Sequence, residues 1–487
     1  MKRIISFVLI LVLLFSLASL ASCGDEQSKS DAPSDTAALN KPVSSSVTGK
    51  LDNADSSKNR SANVSSTLPS STETPTDDYP YLDYSGNISI YECHSGDYTN
   101  PDTEWWKDFY SFYKTNYNGT VEVIDAVAWN EWELVFLKDF AAGQAPDLIY
   151  SYECAWPKIA VRDMVYSVDD MKKSGVMGFD HPALADKLDL VSLLHTYNGE
   201  KYAFANHRTE AEMIFINEDL FKKFGAKSPS EYYAEGNWSW QTFEQSASDL
   251  ISKAGAKGDK DVIGYVGWDA NMIVTAAGGQ LVKINKDGSL KVTMDDAATL
   301  QGLKNVRAAY AELQIIKQVS DTSAEFQRGK TGMIASVPSQ MHKRLFLTED
   351  KYKIKFDWSM VPYPLDTSTN KSKIRSGRSH AWMVCSASSN AQGCINYIIA
   401  YNTFSKDNPR PYEYSCDRYY TAEQVKMIES CAESVNLPIY QGVGSLWTSQ
   451  WDFWYAVQSK RIDLSEQINN YRPMFEQQVA LENDFMN

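Results

Sequence analysis

The sequence predicts an α/β fold in which an open parallel sheet carries helices on its faces. Two observations predict it. Short apolar segments alternate with amphipathic helical patterns over residues 88–150. The body of the chain, from about Tyr79 to Asn487, is long for one domain and suits two. Ligands of such sheets bind outside the carboxyl ends of the strands, so the loops after each strand are where we expect a site.

Three strands and two helices open this body. Residues 88–91, 121–124 and 147–150 each read as a short strand. Between them, aromatic and apolar residues recur at helical spacing: Trp105, Phe109, Phe112 and Tyr113, then Trp132, Val135, Phe136 and Phe140. Gly143 suits the C-terminal cap of the second helix. The order βαβαβ is typical of a parallel sheet.

The N-terminus predicts export and lipid anchoring. The basic residues Lys2 and Arg3 run into the apolar stretch 4–17. That stretch is too short for a membrane-spanning helix of about 20 residues and is typical of a signal peptide. The motif at 20–23, Leu-Ala-Ser-Cys, resembles the lipobox of bacterial lipoproteins, whose cysteine is diacylated. We therefore expect a signal peptide at 1–22 and a lipid anchor at Cys23 on the extracellular side of the cell membrane. A signal peptide with a chance cysteine is the alternative.

Residues 24–78 predict a disordered tether. They are mainly Ser, Thr, Asp, Asn, Lys and Pro, without an aromatic residue. Such a segment buries too little apolar surface to offset the entropy of ordering. A flexible coil of this length spans on the order of 40 Å. The lipidated tether, 23–83, would hold the folded body away from the bilayer.

Composition and motifs exclude several functions. The chain has 62 acidic and 47 basic residues, which argues against nucleic acid and against adhesion to anionic lipid. It contains no G-x-S-x-G, H-E-x-x-H or Walker motif, and no cofactor or metal is predicted. Six cysteines remain beside Cys23. Disulfides and buried free thiols are both open for them.

Five landmarks in order resemble a known family. They are Ala145-Pro146-Asp147-Leu148, then residues 198–204 (NGEKYAF), 214–221 (IFINEDLF), 236–243 (GNWSWQTF) and 326–333 (FQRGKTGM). Together they resemble the family 1 extracellular solute-binding proteins, the sugar receptors of ABC importers. The resemblance covers nearly all of the chain after residue 84.

The resemblance implies a two-lobe, periplasmic-binding-protein-like α/β fold with a hinge between the lobes. Lobe one would comprise residues 84–206 and 379–408, and lobe two residues 207–378 and 409–487. The chain would cross between them three times. Asn390 would cap a helix of lobe one with an inward face. The protein would be a monomer that delivers its ligand to ABC permease subunits in the membrane.

The implied strand order also brings two cysteines close. In a sheet of order two, one, three, the first and third strands are neighbours. Cys93 follows the first strand and Cys154 follows the third. A disulfide between them is a hypothesis that this topology favours.

Sugar recognition needs flat apolar faces and bidentate polar groups. Position after predicted strands, at the lobe crossings or near the C-terminus singles out the candidates: Trp129, Tyr152, Glu153, Trp156, Arg208, Glu210, Trp268, Asp269, Arg378 and Trp447. Residues 335–340 lack a tryptophan that many relatives have there, so Trp447 is a candidate replacement, as are Tyr440 and Trp451. Core packing is the alternative for each tryptophan, a solvated loop for Glu210, and the hinge surface for Arg378.

These expectations point to a receptor and not to an enzyme. The predicted function is capture of a carbohydrate, an oligosaccharide, in the cleft between the lobes. One alternative is a binding protein for a non-sugar solute such as a polyamine or a peptide. The other is a surface carbohydrate-active enzyme, because carboxylates are plentiful enough to supply the pair that a glycosidase uses.

Overall fold

The structure is a computed structural model. It describes residues 79–83, 85–92, 104–124, 132–151, 156–185, 195–205, 209–267, 270–319, 321–342, 345, 353–378, 381–408, 420–436, 442–459 and 462–486. Predictions for the signal peptide, Cys23 and the tether up to residue 78 lie outside these ranges. Within the ranges, none of the helices has the length and apolar character needed to cross a membrane.

The described ranges contain sixteen strands: β1 Gly86–Glu92, β2 Gly119–Ile124, β3 Leu148–Ser151, β4 Thr196–Tyr197, β5 Glu200–Lys201, β6 Phe204–Ala205, β7 Glu210–Ala211, β8 Met213–Asn217, β9 Ile263–Val266, β10 Val282–Ile284, β11 Leu290–Val292, β12 Ile316–Lys317, β13 Thr331–Ser336, β14 Trp358–Pro362, β15 Gly377–Arg378 and β16 Ala381–Val384. The α-helices are α1 Glu104–Tyr117, α2 Trp132–Ala141, α3 Lys158–Val161, α4 Val168–Lys173, α5 Glu218–Phe224, α6 Pro229–Ala234, α7 Trp240–Ala256, α8 Ala270–Ala276, α9 Ala297–Arg307, α10 Thr322–Gln327, α11 Pro338–His342, α12 Ala391–Asp407, α13 Ala422–Ala432, α14 Leu446–Val457 and α15 Leu464–Met486.

The first sheet has the order β2-β1-β3-β16-β6. β1 pairs in parallel with both β2 and β3, so the predicted βαβαβ unit and its strand order are confirmed. β16 runs antiparallel to its neighbours β3 and β6. On one face, aromatic residues of α1 pack against α12, with the Phe109 ring 5.4 Å from that of Tyr397 and 5.6 Å from that of Tyr401.

Helix α12 begins where the sequence predicts. The Asn390 side chain accepts a hydrogen bond from the backbone N of Gly393 at 3.0 Å, which satisfies a donor of the first turn. Cys394, Ile398 and Tyr401 are all buried on the inward face. The helix therefore closes lobe one from a segment distant in sequence.

Asp147, from the first landmark, lies just before β3 and forms hydrogen bonds to β1 and to the turn after β16. Its carboxylate accepts from the backbone N of Ser89 at 2.8 Å, the Ser89 hydroxyl at 2.9 Å and the Ser388 hydroxyl at 2.6 Å. These bonds tie β1 and β3 to the turn after β16. The motif thus has a structural role at the end of the sheet opposite the loops expected to bind ligand.

The second sheet has the order β12-β9-β13-β8-β14. β9, β12 and β13 are parallel to one another, while β8 runs antiparallel to both β13 and β14. Two of the landmarks, 214–221 and 236–243, contain the starts of its helices α5 and α7. The Asn217 side chain caps α5, accepting from Leu220 N at 3.1 Å. Ser239 and Thr242 form a reciprocal capping box that starts α7.

Each five-stranded sheet forms the centre of one lobe. The C-terminal helices contact elements of both. α15 packs against β11 of the second lobe and against α3 of the first. Helix α14 packs against α9 and α15. The last part of the chain therefore lies against both lobes.

Candidate ligand site between the lobes

The connections between the lobes leave and enter the sheets at the carboxyl edges of their parallel strands. In lobe one, Ala381 at the start of β16 pairs with Ser151 at the end of β3 and with Ala205 at the end of β6. In lobe two, Met213 at the start of β8 pairs with Ser336 at the end of β13 and with Pro362 at the end of β14. These are the edges where open α/β sheets bind ligands.

Two connections between the sheets, β7 and β15, pair with each other as a two-stranded ribbon. Ala211 of β7 lies opposite Gly377 of β15, and Glu210 lies opposite Arg378. A side chain at Gly377 would not fit, because its Cβ would lie 2.2 Å from the backbone oxygen of Glu210. The glycine therefore allows the two crossings to pair closely.

Glu210 is 6 % exposed, so the solvated-loop alternative for it is wrong. One carboxylate oxygen accepts from the backbone N of Ser339 at 2.8 Å, and the other accepts from the Ser339 hydroxyl. Burial raises the pKa of Glu210 to about 7, although both bonds from Ser339 act to lower it. The carboxyl group thus joins a crossing strand to the start of α11 in lobe two.

A second acid lies beside it that sequence reasoning missed. Glu212 is 2 % exposed, and one of its oxygens is 3.4 Å from Nε of Arg378. The other oxygen has no hydrogen-bond partner among the residues that the structure describes. Burial raises the pKa of Glu212, and the Arg378 guanidinium opposes that shift. Side chains two apart on a strand share a face. That spacing from Glu210 was the available signal.

Trp156 is 1 % exposed. Its ring lies 5.4 Å from that of His195 and 5.7 Å from that of Tyr202. His195 is completely buried, and burial lowers its pKa to about 4. Within the described part of the chain, neither of its ring nitrogens has a hydrogen-bond partner. The indole is thus packed inside lobe one in this structure, and its predicted contact with ligand stays a prediction.

The other candidates lie at or beyond the limits of the described residues. Trp129, Tyr152, Glu153, Arg208, Trp268 and Asp269 lie outside them, as do Cys93 and Cys154. Trp129 follows β2, Tyr152 and Glu153 follow β3, and Trp268 and Asp269 follow β9, all parallel strands of the two sheets. Trp447 is the second residue of α14, and its side chain is not described.

Within the described ranges, no group of three or more His, Cys, Asp and Glu residues could hold a metal ion. Cys385, Cys394 and Cys431 are buried free thiols, as one of the two interpretations predicts. Burial raises the pKa of Cys385 to about 11, which makes it a poor nucleophile.

Comparison with known proteins agrees with this architecture. Residues 95–400 match the family of bacterial extracellular solute-binding proteins. No curated protein matches the sequence. Among solved structures, the fold is similar to the sugar-binding protein MalE from Xanthomonas citri, with a TM-score of 0.58 and 14 % identity over 82 % of this chain and 98 % of that one.

Two further structures show the range of ligands on this fold. The ABC substrate-binding protein Lmo0181 from Listeria monocytogenes, in complex with cycloalternan, has a TM-score of 0.54 and 14 % identity over 82 % of this chain and 99 % of that one. UgpB from Mycobacterium tuberculosis, in complex with glycerophosphocholine, has a TM-score of 0.58 with the same identity and coverage.

The fold and its crossing site define a two-lobe solute receptor. The chain belongs to the family of bacterial extracellular solute-binding proteins.

Proposed function

We propose that the protein is the receptor of an ABC importer and captures a carbohydrate, an oligosaccharide, between its two lobes. The observation that carries the proposal is that two crossings, β7 and β15, pair with each other and place Glu210 opposite Arg378. A carboxylate and a guanidinium suit neighbouring sugar hydroxyls, one as acceptor and the other as donor. Several structural relatives were solved with oligosaccharides, among them a protein bound to maltotetraose and one bound to lacto-N-biose.

The binding surface we propose combines residues from both lobes and from the crossings. Trp129, Tyr152, Glu153 and Trp156 would come from lobe one, Trp268, Asp269 and Trp447 from lobe two, and Arg208, Glu210 and Arg378 from the crossings. Residues 84–206 and 379–408 would move as lobe one, and 207–378 and 409–487 as lobe two. Closure of the lobes would signal the loaded receptor to the permease.

We further propose that Cys23 is lipidated after removal of residues 1–22 and that the receptor works as a monomer on the outer face of the membrane. No bond of the ligand would be made or broken. The Glu210 carboxyl is engaged by Ser339, and the second acid, Glu212, faces Arg378. Both acids are therefore held in place by partners within the protein.

A calorimetric titration tests the proposal, with a panel of linear and cyclic oligosaccharides against the full chain. We expect one glycan to bind and to be recovered intact. Glycerophosphocholine belongs in the panel, because one structural relative binds it. A polyamine and a short peptide cover the other non-sugar alternatives. Binding of one of these in place of every glycan would overturn the carbohydrate assignment, and cleavage of a glycan would overturn the receptor assignment.

A further inference from the structure

One buried carboxylate ties the C-terminal helix to lobe one. Glu482, near the end of α15, is 0 % exposed. Its Oε1 accepts from Nη2 of Arg162 at 2.7 Å and from the backbone N of Gly444 at 3.0 Å, and its Oε2 accepts from Nε of Arg162 at 3.2 Å. Two parallel bonds from one guanidinium fix geometry as well as charge. Glu482 therefore joins three segments at one point.

The segment around Gly444 is held from the other side as well. Lys158 of α3 is 2 % exposed, and its Nζ donates to the carbonyl oxygen of Gly444. Both backbone groups of Gly444 are thus engaged by charged side chains. The backbone N of Ser445 donates to Oε1 of Gln478 in α15 at 2.9 Å. The segment 442–445 is fixed between α3 and α15.

The same segment lies directly against the chain that follows β3. Gly442 forms a parallel bridge with Pro157. A Cβ at Gly442 would lie 1.6 Å from the carbonyl oxygen of Trp156, so only glycine permits this approach. Trp156 is a predicted binding residue of lobe one. Trp447, predicted to bind from the C-terminal side, follows the segment at the start of α14.

Asn483, which follows Glu482 in α15, is hydrogen-bonded to lobe two. The Asn483 side chain accepts from the backbone N of Leu290 at 2.8 Å and donates to its carbonyl oxygen at 3.0 Å. One turn of helix thus contacts the β10–β11 hairpin through Asn483 and α3 through Glu482. The position of the segment 442–445 therefore depends on both contacts.

We propose that Glu482 is a positioning residue for the ligand site. By holding the segment 442–445 against α3, it sets where the first turn of α14 lies relative to Trp156. Glu482 is 0 % exposed, so it acts through the segment that it holds. This inference rests on the proposed function and adds to it the part of the chain that fixes the C-terminal wall of the site.

The decisive variant is Glu482→Gln, which keeps the size of the side chain and one acceptor for Gly444 but removes the charge that pairs with Arg162. A broken buried pair leaves its partner unpaired, so the segment should loosen. We expect faster amide exchange at residues 442–446 of the unliganded chain, and a Kd about tenfold higher for the sugar that binds. Arg162→Lys keeps the charge, so its effects should be smaller in both measurements.

Two controls separate positioning from general stability. Arg472, also on α15, forms an ion pair with Asp295 at 3.3 Å. Arg472→Gln removes this pair and should leave both the exchange at 442–446 and the Kd unchanged. Leu250→Ala in α7 removes buried carbon atoms and should lower the melting temperature without changing the Kd at 25 °C.

The probes are maltotetraose and lacto-N-biose, titrated into the full chain. Unchanged amide exchange at 442–446 in the Glu482→Gln chain would show that Glu482 does not hold this segment. Faster amide exchange combined with unchanged or tighter sugar binding would show that the contacts of Glu482 do not position the ligand site. If the wild-type chain binds neither these sugars nor any other glycan, the proposed function fails, while the exchange measurement still decides whether Glu482 holds the segment.

Discussion

The buried carboxyl group of Glu210 should make the stability of the protein depend on pH in a specific direction. Its pKa is raised by burial from 4.5 to about 7. Between these values the folded protein holds a proton that the unfolded chain has lost. The stabilisation is therefore complete below pH 4.5 and is lost as the pH rises through 7. The difference between the two pKa values corresponds to about 3 kcal/mol in the free energy of unfolding.

Glu210→Gln removes this titration while keeping an acceptor for the backbone N of Ser339. We expect the free energy of unfolding of the variant to rise relative to that of the wild type as the pH rises. The difference between their free energies of unfolding should change by about 2.5 kcal/mol from pH 5 to pH 8, in favour of the variant. Glu212 and Arg378 lie beside the group in both proteins.

Urea unfolding at both pH values measures this difference. Glu423→Gln is a matched control, because Glu423 is exposed on α13 and its replacement should shift stability equally at the two pH values. A Glu210→Gln chain whose stability difference from wild type is the same at pH 5 and pH 8 would refute the reasoning. It would mean that the carboxyl group is not buried at the crossing as the structure has it.

Three further predictions concern the anchor, the crossing and the motion. Cys23→Ser should release the protein from the detergent phase or leave its precursor unprocessed, and a variant that partitions like wild type would exclude the lipid anchor. Gly377→Ala should destabilise the body by about 1–3 kcal/mol, because the new Cβ would clash with Glu210 O and Val435. Gly255→Ala, in open space within α7, should be neutral or stabilising and is its control. Small-angle scattering should show a smaller radius of gyration with bound ligand; an unchanged radius at saturation would contradict closure.

The sequence predicted the elements whose signals are local. The spacing of aromatic residues placed α1, and Asn390 with its inward face placed α12. These succeed because helical periodicity and capping depend on residues within a few positions of each other. The strand order β2-β1-β3 followed from the family resemblance and was confirmed by the register.

The crossing site was predicted only in part. Glu210 was singled out by its position at a predicted lobe crossing, but its bonds to Ser339 connect residues 129 positions apart. The buried pair of Glu212 with Arg378 joins residues 166 positions apart. Contacts of this kind arise from tertiary packing, and no pattern in one sequence encodes them. The hydrogen bonds of Glu482 to Arg162 and Gly444 were missed for the same reason.

The central claim is that a carbohydrate binds between the two lobes, and a crystal structure of the complex tests it most directly. The chain would be crystallised with the glycan that binds most tightly in calorimetry. We predict ligand density between the edge formed by Ser151 and Ala381 and the edge formed by Met213 and Ser336, with Glu210 or Arg378 in contact. A ligand bound elsewhere on the chain, with no contact to both lobes, would contradict the account.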